Sequence, residues 1–313
     1  MTTAPLRLGL VGCGRLAERG YLPALAAVTD LELVAVADPD EGRRASVGSA
    51  VERYRSAAEL LAGTPLDGVV IASPVGCHVA DARAAAEAGV TALVEKPPAP
   101  DLATSAELLS LAPVPHLGFN RRFDVGAIAV RAAVPPEGVI ELDLALRYRR
   151  PGWSAHVVAD DALLDLGPHL IDWVRWITGR EVRSVACPEL SSERAVLDLE
   201  LDDGRAHLDA ATDRPHEERI ELRVDGQPVA RHRIGGTFAS LRGRLRGGQP
   251  DALVTTLRGE LVAFAHALRT GERGALGSPT DAWAVMSVIE AARTSATRDG
   301  VAVPVPMSPE VTR

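Results

Sequence analysis

"LRLGLVGCGRLA", residues 6–17, is the stretch on which the fold of this chain turns. Its first half is a short, mostly apolar run of the kind that forms a strand buried on both faces. Its second half carries Gly12, Gly14 and Ala17 in G-x-G-x-x-A spacing. Glycine is needed where backbone must turn tightly and approach a pyrophosphate, and a small third residue lets the following helix pack on the strand with its N-terminal amides facing the phosphates. A second apolar run, "LELVAVA" (31–37), ends at Asp38, 24 residues after Gly14, where a carboxylate can accept the hydroxyls of a ribose. A carboxylate there repels a 2'-phosphate, so the expected cofactor is NAD rather than NADP. Gly12, Cys13, Gly14, Arg15, Leu16 and Asp38 are the cofactor-binding candidates from this half of the motif. Arg43 and Arg44 follow closely, either as solvated helix residues or as phosphate binders.

Further apolar runs lie at "GVVIA" (68–72), "TALVE" (91–95) and "HLGF" (116–119), separated by Ala-rich amphipathic segments. Strands alternating with helices predict a parallel sheet covered on both faces. Ser56 with Glu59 reads as a capping box, and Gly89 as the stop of a helix beginning near Gly76. The strand "TALVE" runs into Glu95-Lys96-Pro97, which holds a lysine at the mouth of a sheet on backbone that proline keeps out of a helix. That is an awkward place for a merely solvating charge.

Composition bounds the rest. The 313 residues suffice for two domains with cores, and 46% apolar with 24% charged residues is ordinary for a soluble globular chain. A net charge of −8 argues against nucleic acid and anionic membrane as partners. Cys13, Cys77 and Cys187 make neither a metal spacing nor a disulfide framework, so no metal is expected and a reducing cytoplasm fits. No apolar run reaches the roughly 18 residues of a membrane span, and the expectation is a cytoplasmic protein.

"GLVGCGRLAERGYLPAL", "VVIASPVGCHVADARAAAEAGVTALVEKP", "GFNRRFD" and "LLDLGPHLIDWVRWITG", followed by "ELVAFAHALRTGE" and "DAWAVMSVIEAARTSATRDG", occur in this order along nearly the whole chain. Together they resemble the glucose-fructose oxidoreductase and inositol dehydrogenase (Gfo/Idh/MocA) family of nicotinamide-dependent oxidoreductases. The resemblance implies an α/β protein: an N-terminal Rossmann dinucleotide-binding domain, residues 1–120, and a C-terminal α/β domain with a mostly antiparallel open sheet, residues 121–313. A C-terminal helix at about 281–297 is expected to pack back on the first domain, with substrate in the cleft between the two. By the same resemblance Lys96 sits beside the nicotinamide and contacts the reacting oxygen, where an ammonium stabilises developing negative charge. A cis Lys96–Pro97 bond is also implied. Ser73, Pro74, His78, Glu95 and Lys96 itself join the cofactor-binding candidates.

In "DLGPHLID", Pro168 suits the first turn of a helix that Gly179 can cap, placing His169, Asp172, Trp173 and Trp176 on one face and Asp165 just ahead of it. The resemblance makes Asp165 and His169 the acid/base pair, Asp165 binding substrate and orienting the imidazole, and histidine titrates where proton transfer near neutral pH needs it. Lys96, His169 and Asp165 are thus the catalytic candidates. Substrate-binding candidates add Asn120 and Arg121, which either line the cleft or act as a hinge, and Trp153, which either stacks on a sugar ring or packs in a core. Asp172 reads as a structural partner, and the tryptophans of this helix as core.

There are departures. Asp160-Asp161-Ala162 stands where the family carries glycines; the acids either face solvent or receive the amino group of an aminosugar. Residues 226–250 hold no acid but carry Arg231, His232, Arg233, Arg242, Arg244 and Arg246, as a solvated loop or an anion site. In "VIELDLALRYR" and "RIELRVDG", apolar and charged residues alternate, which predicts a sheet with one apolar and one charged face. By resemblance the outer face forms an oligomer interface, so a homodimer or higher oligomer is expected. The expected activity is hydride transfer between NAD and a secondary alcohol or ketone of a sugar, aminosugar or cyclitol. The alternative is a catalytically silent dinucleotide-dependent sensor or corepressor on the same fold.

Overall fold

The structure, a computed structural model, describes residues 4–150, 161–235 and 252–306. Trp153, Asp160 and residues 236–250 of the arginine-rich segment therefore lie outside the described residues. The opening run forms β1 (Leu6–Val11), followed by β2 (Leu31–Ala37), β3 (Glu52–Tyr54), β4 (Gly68–Ile71), β5 (Thr91–Glu95) and β6 (His116–Gly118). All pair in parallel in the order β3-β2-β1-β4-β5-β6. Their uninterrupted apolar character follows from burial on both faces: Leu8, Leu10, Val69, Val70, Ile71, Leu93 and Val94 are fully buried. The order switches direction between β1 and β4, so the loops leaving these strands diverge at the carboxyl edge, where α/β sheets bind ligands.

Helices cover this sheet. Residues 22–25 form α1, preceded by a π-helical stretch, Ala17–Tyr21. Then come α2 (Glu41–Ser46), α3 (Ala57–Gly63), α4 (His78–Glu87) and α5 (Leu102–Ala106). Ser56 accepts a hydrogen bond from Glu59 N at 3.2 Å, while the Glu59 carboxylate reaches Arg55 N at 2.9 Å, one residue beyond a reciprocal box. Gly89 takes a left-handed φ of 72°, and Gly89 N→Ala86 O and Val90 N→Ala85 O, both 2.9 Å, close α4 as a complete Schellman motif.

After α6 (Val125–Ala132), a second sheet is built from β7 (Ile140–Arg149), β8 (Val182–Leu190), β9 (Arg194–Leu201), β10 (Gly204–Ala211), β11 (Asp213–Val224), β12 (Gln227–Gly235) and β13 (Val303–Pro304). Its order is β12-β11-β7-β10-β9-β8-β13, antiparallel except for the β7–β10 pair. The expected mostly antiparallel sheet is present. Ile140, Leu142, Leu144 and Leu146 face a core shared with α7 (Ala162–Thr178), while the opposite face pairs Arg205 with Glu141 at 2.7 Å and Arg219 with Asp143 at 2.6 Å.

Two compact units result. Among the described residues the first comprises 4–123 and 252–283, the second 124–150, 161–235 and 284–306. The first unit thus takes in α8 (Ala252–Thr270) and the start of α9 (Pro279–Ala296), whereas the sequence reading returned only a helix at about 281–297 to it. The reason is the apolar stripe of α8: Leu257, Leu261 and Phe264 are fully buried in one cluster with Leu8, Leu10 and Tyr21.

Candidate functional site

At the end of β1 the chain turns through Gly12 with φ of +93°, and a Cβ there would meet the Ala72 carbonyl oxygen at 2.4 Å. Only glycine fits. At Gly14 a Cβ would meet nothing within 4 Å, so the loop leaves open space above the second glycine, as a cradle for a pyrophosphate requires. Cys13 is buried, and its amide donates to Asp38 Oδ2 at 2.9 Å, while Asp38 Oδ1 accepts from Asp40 N at 2.9 Å. Burial, followed by the Asp38 charge, pushes the Cys13 thiol up to about 11. Each Asp38 oxygen keeps a further lone pair for a ribose hydroxyl. Arg15 and Leu16 are half-buried at the helix start, Arg15 pairing with Glu18 at 4.0 Å. Arg44 donates to the Asp38 carbonyl, and Arg43 lies 3.9 Å from its carboxylate. These residues fit a dinucleotide: Gly12 and Gly14 supply the close approach, and Asp38 the acceptor.

The loop after β4 is tied to the loop after β5 by His78, the buried first residue of α4. Its Nε2 lies 2.7 Å from the Ser73 carbonyl and its Nδ1 2.8 Å from the Pro97 carbonyl. Burial lowers the His78 pKa, partly offset by these two acceptors. Ser73 Oγ donates to Asp81 at 2.7 Å, and Pro74 is exposed. His78 therefore packs as a brace between loops. At the end of β5 the Lys96–Pro97 bond is cis, as the resemblance implied. Glu95 is buried, and its Oε2 accepts from Lys96 N at 2.9 Å. The Lys96 side chain is half-buried at the sheet edge.

In the second unit, α7 corrects the sequence reading of its own start. Asp161 accepts from Leu164 N at 2.8 Å and caps a helix beginning at Ala162, so Asp165 lies in its first turn and Pro168 in its interior. The aspartate cap outweighs the proline signal, and Pro168 is tolerated although it denies the Leu164 carbonyl a helical donor. Gly179, with φ of 68°, ends the helix as expected. Asp165 and His169, four apart, share one face, and His169 is 6% exposed. The carboxylate of Asp165 accepts from the Tyr148 hydroxyl and pairs with Arg150 at 3.4 Å. Burial and the Asp165 charge raise the Tyr148 pKa. Neither Tyr148 nor Arg150 was among the sequence candidates; the one signal was the loss of apolar alternation at the end of β7, in "RYRR". Trp173 and Asp172 are buried, and Trp176 is half-buried under the Arg131 guanidinium, 4.4 Å from the ring centre.

Asn120 is buried and donates to Thr256 Oγ1 at 3.0 Å. Arg121 is half-buried, whereas its neighbour Arg122 is buried against Asp281 at 3.1 Å. Asp161, offered from sequence as a receptor for an amino group, has Oδ1 on Leu164 N and Oδ2 3.2 Å from Arg293. Among the described residues no group of three or more His, Cys, Asp or Glu is placed to hold a metal ion, and no helix is long and apolar enough to cross a membrane.

Residues 6–116 match the profile of GFO_IDH_MocA, described as an oxidoreductase family with an NAD-binding Rossmann fold. The rhizopine catabolism protein MocA of Rhizobium meliloti is 29% identical over 94% of this chain and 96% of its own length. An inositol 2-dehydrogenase of Leifsonia xyli is 33% identical over 59% of this chain, an alignment spanning 57% of that relative. The fold is shared with the scyllo-inositol dehydrogenase of Lactobacillus casei, solved with bound NAD(H) and scyllo-inositol: TM-score 0.76, 19% identity, 96% of this chain and 99% of that one covered.

Proposed function

We propose that this chain, whose residues 6–116 match the GFO_IDH_MocA oxidoreductase family model and which is 29% identical to MocA over 94% of its length, moves hydride between NAD and a secondary alcohol or ketone of a neutral sugar or cyclitol. The observation that carries the reading is the setting of Asp165: a carboxylate held by Tyr148 and Arg150, one helical turn from the buried His169. Such a carboxylate stays ionised and fixed, which is what an imidazole needs if it is to accept a proton and carry the positive charge. Bound nicotinamide supplies the two-electron carrier. In the oxidising direction His169 takes the hydroxyl proton of the substrate, and Asp165 supports the imidazolium. The ammonium of Lys96 stabilises the negative charge that builds on the same oxygen. Gly12, Gly14 and Asp38 hold the dinucleotide, with NAD favoured because the Asp38 carboxylate meets ribose hydroxyls but repels a phosphate. A neutral substrate is favoured over an aminosugar because both oxygens of Asp161 are already engaged.

The test separates binding from chemistry. Lys96→Ala and His169→Ala should bind NADH as the parent protein does, by fluorescence titration, yet lose about 10² to 10⁴ in turnover on a cognate cyclitol or sugar. Near-parental turnover in both variants would overturn the assignment.

A further inference from the structure

Behind Lys96, three polar side chains meet in the interior of the first unit. Tyr21 and Glu260 are 0% exposed and Glu95 is 4% exposed. The Tyr21 hydroxyl lies 2.7 Å from Glu95 Oε1 and 3.2 Å from Glu260 Oε2. They come from the helix after β1, the end of β5 and the buried face of α8. A phenol has one hydrogen to give. If it points to Glu95, an ionised Glu260 would set a carboxylate oxygen against the lone pairs of the Tyr21 oxygen, so the second contact needs a hydrogen of its own, and the carboxyl of Glu260 is its source. The other oxygen of Glu260, Oε1, has no hydrogen-bond partner among the described residues. An unpartnered buried oxygen is far less costly on a neutral acid than on a carboxylate. Glu95, by contrast, has both oxygens supplied with donors, Tyr21 on one and the Lys96 amide on the other.

We propose that Glu260, Tyr21 and Glu95 form a proton-sharing chain whose negative charge rests on Glu95 beside Lys96 and can move to Glu260. In the transfer Glu260 gives its proton to the Tyr21 oxygen as the Tyr21 hydroxyl hydrogen passes to Glu95. One O–H bond breaks and one forms at the phenol, leaving a Glu260 carboxylate and a neutral Glu95. The groups bearing on the two ends are Lys96, whose charge favours the anion at Glu95, and Arg122, whose charge favours it at Glu260. Burial raises both carboxyl groups, Glu260 well above the ordinary range. With the anion on Glu95 a negative charge stands beside Lys96; with the anion on Glu260 that charge lies on the far side of the Tyr21 hydroxyl. Glu260 and Tyr21 are then positioning residues that act through Lys96, a role that rests on the function proposed above.

The experiment uses the full chain. Infrared spectroscopy at neutral pH, with glutamate carboxyls isotopically labelled, should show a protonated-carboxyl C=O band that Glu260→Gln abolishes and Tyr21→Phe shifts. Glu260→Gln keeps shape and neutrality but cannot pass the proton and so pins the anion on Glu95; it should leave KM unchanged and move the alkaline limb of the kcat–pH profile upward by about one pH unit, the effect of a single nearby charge. Absence of the band in the parent protein, or its survival in Glu260→Gln, overturns the proton's placement. An unmoved pH profile in Glu260→Gln overturns the coupling. A fully active Lys96→Ala would instead overturn the role of Lys96, while the infrared bands still decide where the proton sits.

Discussion

Two glycines two residues apart make opposite predictions. At Gly12 a methyl group faces both a backbone conformation that L-residues avoid, φ of +93°, and the Ala72 carbonyl oxygen at 2.4 Å. The first effect costs roughly 1–2 kcal/mol, and relieving the second by moving backbone adds roughly 1–3 kcal/mol. Gly12→Ala should therefore lose about 2–5 kcal/mol, a large part of the roughly 5–15 kcal/mol that holds a domain folded. At Gly14 the same methyl meets nothing within 4 Å and the backbone imposes no penalty, so Gly14→Ala should melt within a degree or two of the parent while filling the space assigned to the pyrophosphate. Thermal denaturation followed by circular dichroism, with NADH titration by fluorescence, reads both. The expected result is a lowered melting temperature for Gly12→Ala, and for Gly14→Ala an unchanged one with NADH binding weakened tenfold or more. A Gly14→Ala protein that binds NADH as tightly as the parent would refute the placement of the cofactor, and an undiminished melting temperature for Gly12→Ala would refute the steric argument.

Asp38 predicts tighter binding of NADH than of NADPH; a tenfold preference for NADPH in the same titration would overturn the acceptor role. His116 accepts from Arg273 at 2.9 Å through Nδ1, so that nitrogen must be unprotonated, and burial with the Arg273 charge lowers its pKa to about 4. The folded protein therefore resists protonation that the unfolded chain accepts, and stability fully present above pH 6.5 should fall by up to about 3 kcal/mol as pH drops toward 4. His116→Asn should flatten that part of the curve, and identical acid profiles would exclude it. If the charged face of the second sheet carries an interface between copies, light scattering at low salt should show a dimer or larger species that dissociates as salt screens the ion pairs; a monomer at micromolar concentration would end that idea.

The parallel strands were legible because burial on both faces leaves an uninterrupted apolar signature, and all five expected strands begin and end within a residue of those seen. The difference in this sheet is an added sixth strand: β3, "ERY", is a short edge strand with exposed Glu52 and Arg53 and no apolar pattern to read. The start of α7 was misplaced because Pro168 and Asp161 both signal a helix beginning, and only the cap geometry decides between them. Tyr148 and Arg150 reach Asp165 across a strand-to-helix connection, a tertiary pairing that the break in apolar alternation at "RYRR" marks without naming its partner. Glu260 did leave a trace. It falls in the series Leu257, Glu260, Leu261, Phe264, at the i, i+3, i+4 and i+7 positions of a buried stripe, where a charged residue calls for a partner.

The His78 brace has a consequence for how a ligand would be met. By bridging the carbonyls of Ser73 and Pro97, one imidazole couples the loops of adjacent strands, so displacing either loop breaks a contact to the other. Loops that are ordered only on binding lower affinity by the entropy of fixing them. Here that ordering is already accomplished by folding, and the lysine at the end of β5 is presented from a preorganised rim. Loosening the brace would be felt first as weaker, more temperature-dependent ligand affinity, before any change in the turnover proposed to depend on Lys96.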